Sequence, residues 1–232
     1  MILTDTHTHL YLPDFDNDID ALLKSAFAKR VFNFVLPNIN TGSIPLVEKL
    51  TNKYPLNCFP LMGLHPCDVN ADYKNELDVI FKYIETVLMS KGNPGKVYGI
   101  GEIGLDYYWD KTFIQQQIEA FTIQMQWALE KQLPIVIHTR NAMGETIEAV
   151  KPFAKKGLRG IFHCFSGSQE SAQQIISMGF HLGLGGVLTY KNAAVAEAIK
   201  EIPMSHLVLE TDAPYLSPVP YRGKTNEPAF MI

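Results

Sequence analysis

The chain has 232 residues, 47% hydrophobic and 19% charged, with a formal net charge of −4. That length supports a sizeable core in one large domain or two small ones. No apolar run reaches the roughly 20 residues of a membrane helix, and neither a basic n-region nor an apolar h-region marks a signal peptide. Cys58, Cys67 and Cys164 are irregularly spaced and form no CxxC pair, which excludes a disulfide framework and argues against a cysteine zinc site. The expectation is a reduced, cytoplasmic protein with no membrane partner. No basic face is visible, which weakens a pure nucleic-acid-binding module. A nucleic-acid substrate would need bound cations to supply positive charge.

Short runs rich in Val, Ile, Leu and Phe alternate with longer stretches of helical periodicity. Residues 2–9 open as a strand, followed by a helix over 17–30 with Ile19, Leu22, Leu23 and Phe27 at helical spacing. A strand over 31–37 leads to a helix over 43–52, with Ser43 as N-cap two residues before Pro45. The third strand, 58–65, precedes a helix over 73–90 carrying Leu77, Ile80, Phe81, Ile84, Val87 and Leu88. The fourth strand, 97–105, is followed by a helix over 111–131, and the fifth, 134–139, by one over 142–156. Strands over 159–165 and 181–186 precede helices over 168–178 and 191–201, and the eighth strand covers 207–211. Gly157 and Gly179 read as helix stops.

Eight strands alternating with helices predict an α/β protein with a parallel sheet. The closed form is a TIM-like (β/α)8 barrel, typically about 250 residues, spanning 1–232 as a single domain. A doubly wound open sheet is the alternative. After the eighth strand the chain runs through Pro214, Pro218, Pro220 and Pro228 with no final helix.

Five of the seven histidines fall at predicted strand C-termini. His7 and His9, one residue apart on an extended chain, share a face. His65 ends the third strand, Glu102 sits near the end of the fourth, His138 ends the fifth, His163 lies in the sixth, and Asp212 closes the eighth. His181 and His206 precede strands seven and eight, at the opposite rim. Barrel active sites form at the C-terminal rim, and imidazole with carboxylate suits zinc, manganese, nickel or magnesium. Two histidines plus an aspartate would hold one ion, two further histidines a second, and Glu102 could bridge them. His65 reads instead as a hydrogen-bonding residue to a ligand, a substrate phosphate or a turn.

Gly99-x-Gly101-x-x-Gly104 matches a dinucleotide fingerprint in letters, but no helix start follows it. Its glycines read as room for backbone beside a crowded site. Cys164, next to His163, is expected by alternation to face the helix layer as an apolar filler.

Five segments, Asp5-Thr6-His7-Thr8-His9-Leu10, Gly63-Leu64-His65-Pro66, Gly101-Glu102-Ile103-Gly104-Leu105-Asp106-Tyr107, Phe162-His163-Cys164-Phe165-Ser166-Gly167 and Glu210-Thr211-Asp212-Ala213-Pro214-Tyr215, resemble the TatD family of metal-dependent hydrolases in order and spacing. Pro220-Tyr221-Arg222-Gly223-Lys224, then Asn226-Glu227-Pro228, is similar to that family's closing motif. The resemblance covers nearly the whole chain. It implies a TIM-like barrel and one or two divalent ions, with His7, His9 and Asp212 on one, His138 and His163 on the other, and Glu102 between them. It also implies deoxyribonuclease activity, often 3′–5′ exonucleolytic, with some members acting on other ester bonds. Family members continue past Asn-Glu-Pro into a final helix that this chain, ending at Ile232, lacks.

Phosphodiester hydrolysis at such a centre would use an activated water, with Glu102 or Asp212 taking its proton. Arg140, and Arg222 or Lys224, would neutralise phosphate. Tyr107, Tyr108 or Trp109 would stack a base. The rival reading is hydrolysis of a small carboxylic or aminoacyl ester or an amide at the same centre, since fold does not fix substrate. A scaffold that keeps its metal but not its catalysis is the third.

Overall fold

A computed structural model describes residues 1–16, 18–89 and 96–232. Eight strands, β1 (Leu3–Asp5), β2 (Val31–Pro37), β3 (Cys58–Met62), β4 (Gly99–Asp106), β5 (Ile135–Arg140), β6 (Gly160–Phe162), β7 (His181–Leu184) and β8 (Leu207–Leu209), pair in sequence order in one sheet. Every ladder is parallel. The edge strands meet through Thr6 N–H to Leu209 O at 3.1 Å, Asp212 N–H to His7 O at 2.9 Å and His9 N–H to Ala213 O at 2.8 Å. The sheet is therefore a nearly closed (β/α)8-type barrel, and the open-sheet alternative falls.

The connecting helices are α1 (Ile19–Ala28), α2 (Ile44–Lys53), α3 (Tyr73–Met89), α4 (Ile114–Lys131), α5 (Met143–Ala154), α6 (Gln169–Ser177) and α7 (Val195–Ala198). The expected starts and ends at Asn17 and Ser90 lie outside the described residues. Gly157 and Gly179 stop their helices at φ 101° and 83°, as read. Ser43 occupies the position before α2, but its side chain does not cap that helix. Asn40 and Ser43 instead form a reciprocal capping box on the 3₁₀ turn Thr41–Ser43. The seventh helix is one turn where residues 191–201 predicted three, because its apolar residues are mostly alanine and bury little area. No α-helix follows β8 among the described residues, and the 3₁₀ turn Pro228–Met231 packs against α1.

The core fills the layer between barrel and helices, with Leu23, Phe34, Leu36, Ile80, Phe121 and Phe162 almost wholly buried. β4 is buried along its whole length. Helix α4 buries two glutamines beside Phe121 and Met125. Gln124 bonds both backbone groups of Leu64, and Gln117 accepts from Asp106 N–H at 2.9 Å. These side chains tie the carboxyl ends of β3 and β4 to the helix layer, where an unpaired backbone group would be costly. The Gly-rich run lies within β4, and a Cβ at Gly104 would stand 1.9 Å from His138 O, so its glycines serve close strand approach.

Candidate metal centre

The strands stop short of the histidines. β1 ends at Asp5 and β6 at Phe162, so His7, His9 and His163 lie on rim segments, not within strands. Hydrogen bonds hold the His7–His9 segment between the ends of β2 and β8: Thr8 N–H donates to Val35 O at 3.1 Å and His9 N–H to Ala213 O at 2.8 Å. The two imidazoles still reach one point, with their Nε2 atoms 3.3 Å apart. Cys164 is the correction: past the strand end it adopts φ 46°, so alternation does not set its direction. Burial pushes its thiol up to about 12, which leaves no nucleophilic thiolate.

Glu102, 3% exposed, is the hub. Its Oε2 faces His7 Nε2 at 3.1 Å and His9 Nε2 at 3.6 Å. Its Oε1 faces His138 Nδ1 at 3.0 Å, His163 Nε2 at 3.2 Å and His65 Nε2 at 3.5 Å. Asp212 Oδ1, carried on a residue at φ 56°, lies 3.7 Å from His7 Nε2 and 3.5 Å from His9 Nε2. Two ligand-capable trios result, His7–His9–Asp212 and His65–Glu102–His138, with a third, His7–His163–Glu210, behind them.

Burial disfavours the Glu102 charge, but His7, His163, His65 and the His138 hydrogen bond outweigh it and hold the carboxyl well below its ordinary range. Asp212 is likewise lowered against burial, by His9, His163 and His7. Burial lowers His7, helped by the neighbouring His163 charge. Burial also opposes charge on His138 and His163, yet the carboxylates beside them raise both.

The donor set fits divalent cations. Among the two imidazoles and two carboxylates around His7 and His9, donor separations run from 3.1 to 3.7 Å. Those are edge lengths of a coordination polyhedron with metal bonds of about 2 Å. Two facing imidazole nitrogens cannot satisfy each other and two carboxylates as well, whereas one shared cation satisfies all four.

Behind the donors stand residues to which the sequence reading gave no role. Asp106 Oδ2 accepts from His138 Nε2 at 2.9 Å, so His138 is held from both ring nitrogens. Tyr11 hydroxyl meets His9 Nδ1 at 2.9 Å and donates to Pro37 O at 2.6 Å. Glu210 Oε1 accepts from Cys164 N–H at 2.5 Å and lies 3.3 Å from His163 Nδ1. Gly183 leaves it room, since a Cβ there would stand 2.2 Å from Glu210 Oε2. Asp5 Oδ1 accepts from Thr211 N–H and His7 N–H, and its Oδ2 from the Thr211 hydroxyl at 2.5 Å. Burial pushes Asp5 up to about 8 against those bonds. Asn226 Nδ2 donates to Thr211 O and Tyr215 O, each at 2.7 Å, which clamps the loop carrying Asp212. Such partners fix ring orientation and tautomer in metal sites. Asp5 and Glu210 were findable as carboxylates two residues from a candidate ligand.

Of the expected substrate contacts, His65 turns Nδ1 to Cys67 N–H at 3.1 Å, capping the 3₁₀ turn Pro66–Asp68, and gives Nε2 to Glu102. Tyr107 packs on the core, whereas Tyr108 and Trp109 are exposed. Arg140 stacks on Tyr108 at 3.9 Å, and Arg222 on Tyr190 at 3.9 Å. With Lys224, Arg222 borders a cleft of about 440 Å³ beyond β7 and β8. No helix among the described residues is long and apolar enough to cross a membrane.

Residues 4–232 match the TatD-related DNase family. The chain belongs to that family. It is 36% identical over 231 residues to YabD of Bacillus subtilis, an uncharacterized metal-dependent hydrolase, covering 99% of this chain and 87% of the relative. It is 31% identical to the 3′–5′ ssDNA/RNA exonuclease TatD of Salmonella typhimurium, covering 98% and 86% of the two chains. The crystal structure of YjjV, a TatD homologue from Escherichia coli, superposes with a TM-score of 0.88 at 28% identity, over 99% of this chain and 86% of that one. This TatD-family member is a metal-dependent hydrolase with a TIM-like barrel.

Proposed function

We propose that this protein hydrolyses phosphodiester bonds in DNA, proceeding 3′–5′ from an end, with two divalent cations at the barrel mouth. The observation that carries the reading is the division of Glu102, whose Oε2 faces His7 and His9 while Oε1 faces His138 and His163. A carboxylate shared in this way bridges two ligand groups. His7, His9 and Asp212 would hold one ion, and His138 and His163 the other. Magnesium, zinc, manganese and nickel all suit this mixed set. When bound, such ions lower the pKa of water and clamp phosphoryl oxygens.

The chain's own residues supply the rest. Asp212 and Glu102, both held ionised by their histidines, are the proton acceptors for attacking water. Asp106, Glu210 and Tyr11 keep His138, His163 and His9 aimed inward. Arg140 and Arg222, each seated over a tyrosine ring, offer guanidinium N–H groups to phosphate. The relative named as an ssDNA/RNA exonuclease supports the substrate class. The single domain over 1–232 and a reducing, cytoplasmic setting complete the proposal, supported by one shared core and three free thiols.

The test is hydrolysis by metal-reconstituted protein of single-stranded DNA beside a panel of small carboxylic and aminoacyl esters. Excess chelator should remove activity, and a divalent metal should restore it. Full activity in chelator would end the metal mechanism, and cleavage of the esters alone would end the nuclease assignment.

A further inference from the structure

The loop after β4 carries two large aromatic rings on the surface, Tyr108 at 49% and Trp109 at 66% exposure. Two large rings side by side in solvent mark a contact surface. They are held in a fixed arrangement. Their planes cross at 85° with centroids 4.9 Å apart, and the Arg140 guanidinium sits 3.9 Å above the Tyr108 ring and 5.1 Å from that of Trp109. The cation lies over both rings, closer to Tyr108, and Trp109 is the more exposed of the two.

The arrangement is anchored to the metal centre. Asp106 Oδ1 accepts from Tyr108 N–H at 2.8 Å and Trp109 N–H at 3.1 Å, while its Oδ2 accepts from His138 Nε2. Tyr107 N–H bonds Arg140 O at 2.9 Å, tying the loop to the end of β5. One buried carboxylate thus positions both a candidate metal ligand and the backbone that carries the rings.

We propose that Trp109 is a base-stacking platform and that Arg140, pinned on Tyr108, takes the phosphate beside the stacked nucleotide. The inference rests on the nuclease reading and deepens it to single-stranded nucleic acid. A base inside a duplex has no free face to offer, whereas an unpaired base stacks on an aromatic ring without regard to its identity. An aromatic–guanidinium edge of this kind serves a base and its phosphate together, and a small ester has no use for it.

The chain has two tryptophans, and the other, Trp127, is buried at 8% exposure against Phe81. In a Trp127→Phe protein the emission therefore reports Trp109 alone. Titrating that metal-loaded protein with a phosphorothioate thymidine hexanucleotide should quench the emission, and a hexamer of the same backbone lacking bases should not. In parallel, Trp109→Ala should raise KM for the normal oligonucleotide about tenfold, within the range for one stacked base. The abasic oligomer should bind Trp109→Ala and wild type equally weakly, because the ring and the base act as one pair. No quench, or a Trp109→Ala loss equally large on the abasic oligomer, overturns the platform while leaving the nuclease reading intact. Failure of wild type to cleave any oligonucleotide while it cleaves small esters overturns the nuclease reading itself.

Discussion

The two mouths of this barrel are built from the same strands and solve opposite problems. At the amino-terminal end, Val35, Phe59, Leu61, Tyr98, Val136 and Ile161 line a mainly apolar cavity of about 330 Å³. At the carboxyl end, Glu102, His7, His9 and His163 are packed at 5% exposure or less, with Asp5, Asp106 and Glu210 behind them. An apolar mouth needs only to exclude water. A buried polar mouth costs stability unless each group has a partner. Among the described residues, the buried side-chain atoms without a hydrogen-bond partner are His7 Nδ1, Thr8 Oγ1, His163 Nδ1 and Glu210 Oε2 at the carboxyl end and Thr51 Oγ1 on α2, and none lines the apolar mouth. The rim is assembled for a ligand that it holds in common, and the base of the barrel is assembled for packing.

The sharpest way to break this contrast is Glu102→Ala. Removing the shared carboxylate should cut hydrolysis by about 10³-fold or more, on the basis that metal stabilisation is worth several kcal/mol. Metal content should fall with it while circular dichroism stays native. Retained activity would sink the bridging role.

A smaller effect belongs to the outer partners. Asp106→Asn should weaken divalent metal binding about 10–100-fold, the usual cost of losing such a residue. Isothermal titration calorimetry would read it directly, and an unchanged affinity would reduce Asp106 to a loop anchor.

The next test uses pH. His138 and His163 are raised in the metal-free fold, so near neutrality they hold protons that a cation must displace. Metal uptake should release protons near pH 7, and affinity should climb as pH rises through those raised values. The sign for stability is the reverse. A histidine raised on folding stabilises the metal-free fold below its ordinary pKa, and that contribution is lost as pH rises through the folded value. Calorimetry in buffers of different ionisation enthalpy checks the release, and zero release would contradict the protonated cluster.

The smallest effect is expected at the other mouth. Ile161→Val should cost about 0.5–1.5 kcal/mol in thermal unfolding and leave metal affinity unmoved. A change in metal affinity there would dissolve the distinction between the two ends.

Much of this was legible in the residues. Val31–Pro37 was read to the residue, because a Val- and Phe-rich run broken only by Asn33 and closed by Pro37 and Asn38 reads as a strand. The barrel came from eight strands alternating with helices, and the six candidate ligands from polar residues recurring at the predicted strand ends. Less was legible where hydrogen bonding across the rim overrides periodicity. His7, His9 and His163 lie beyond their strands, and Cys164 and Asp212 adopt positive φ. Alternation describes only a chain that is still in a ladder, and these residues have left it.

The sequence alone therefore determined the order of elements, the rim on which the polar residues fall and the family motifs, because each depends on neighbours a few positions apart. Tertiary structure decided which oxygen of Glu102 faces which histidine, that Asp106 serves both His138 and the aromatic loop, and that Tyr107 turns inward while Trp109 turns out. Those choices depend on distances between strands far apart in sequence, such as the 2.9 Å joining Asp212 N–H to His7 O, which exist only once the barrel has closed.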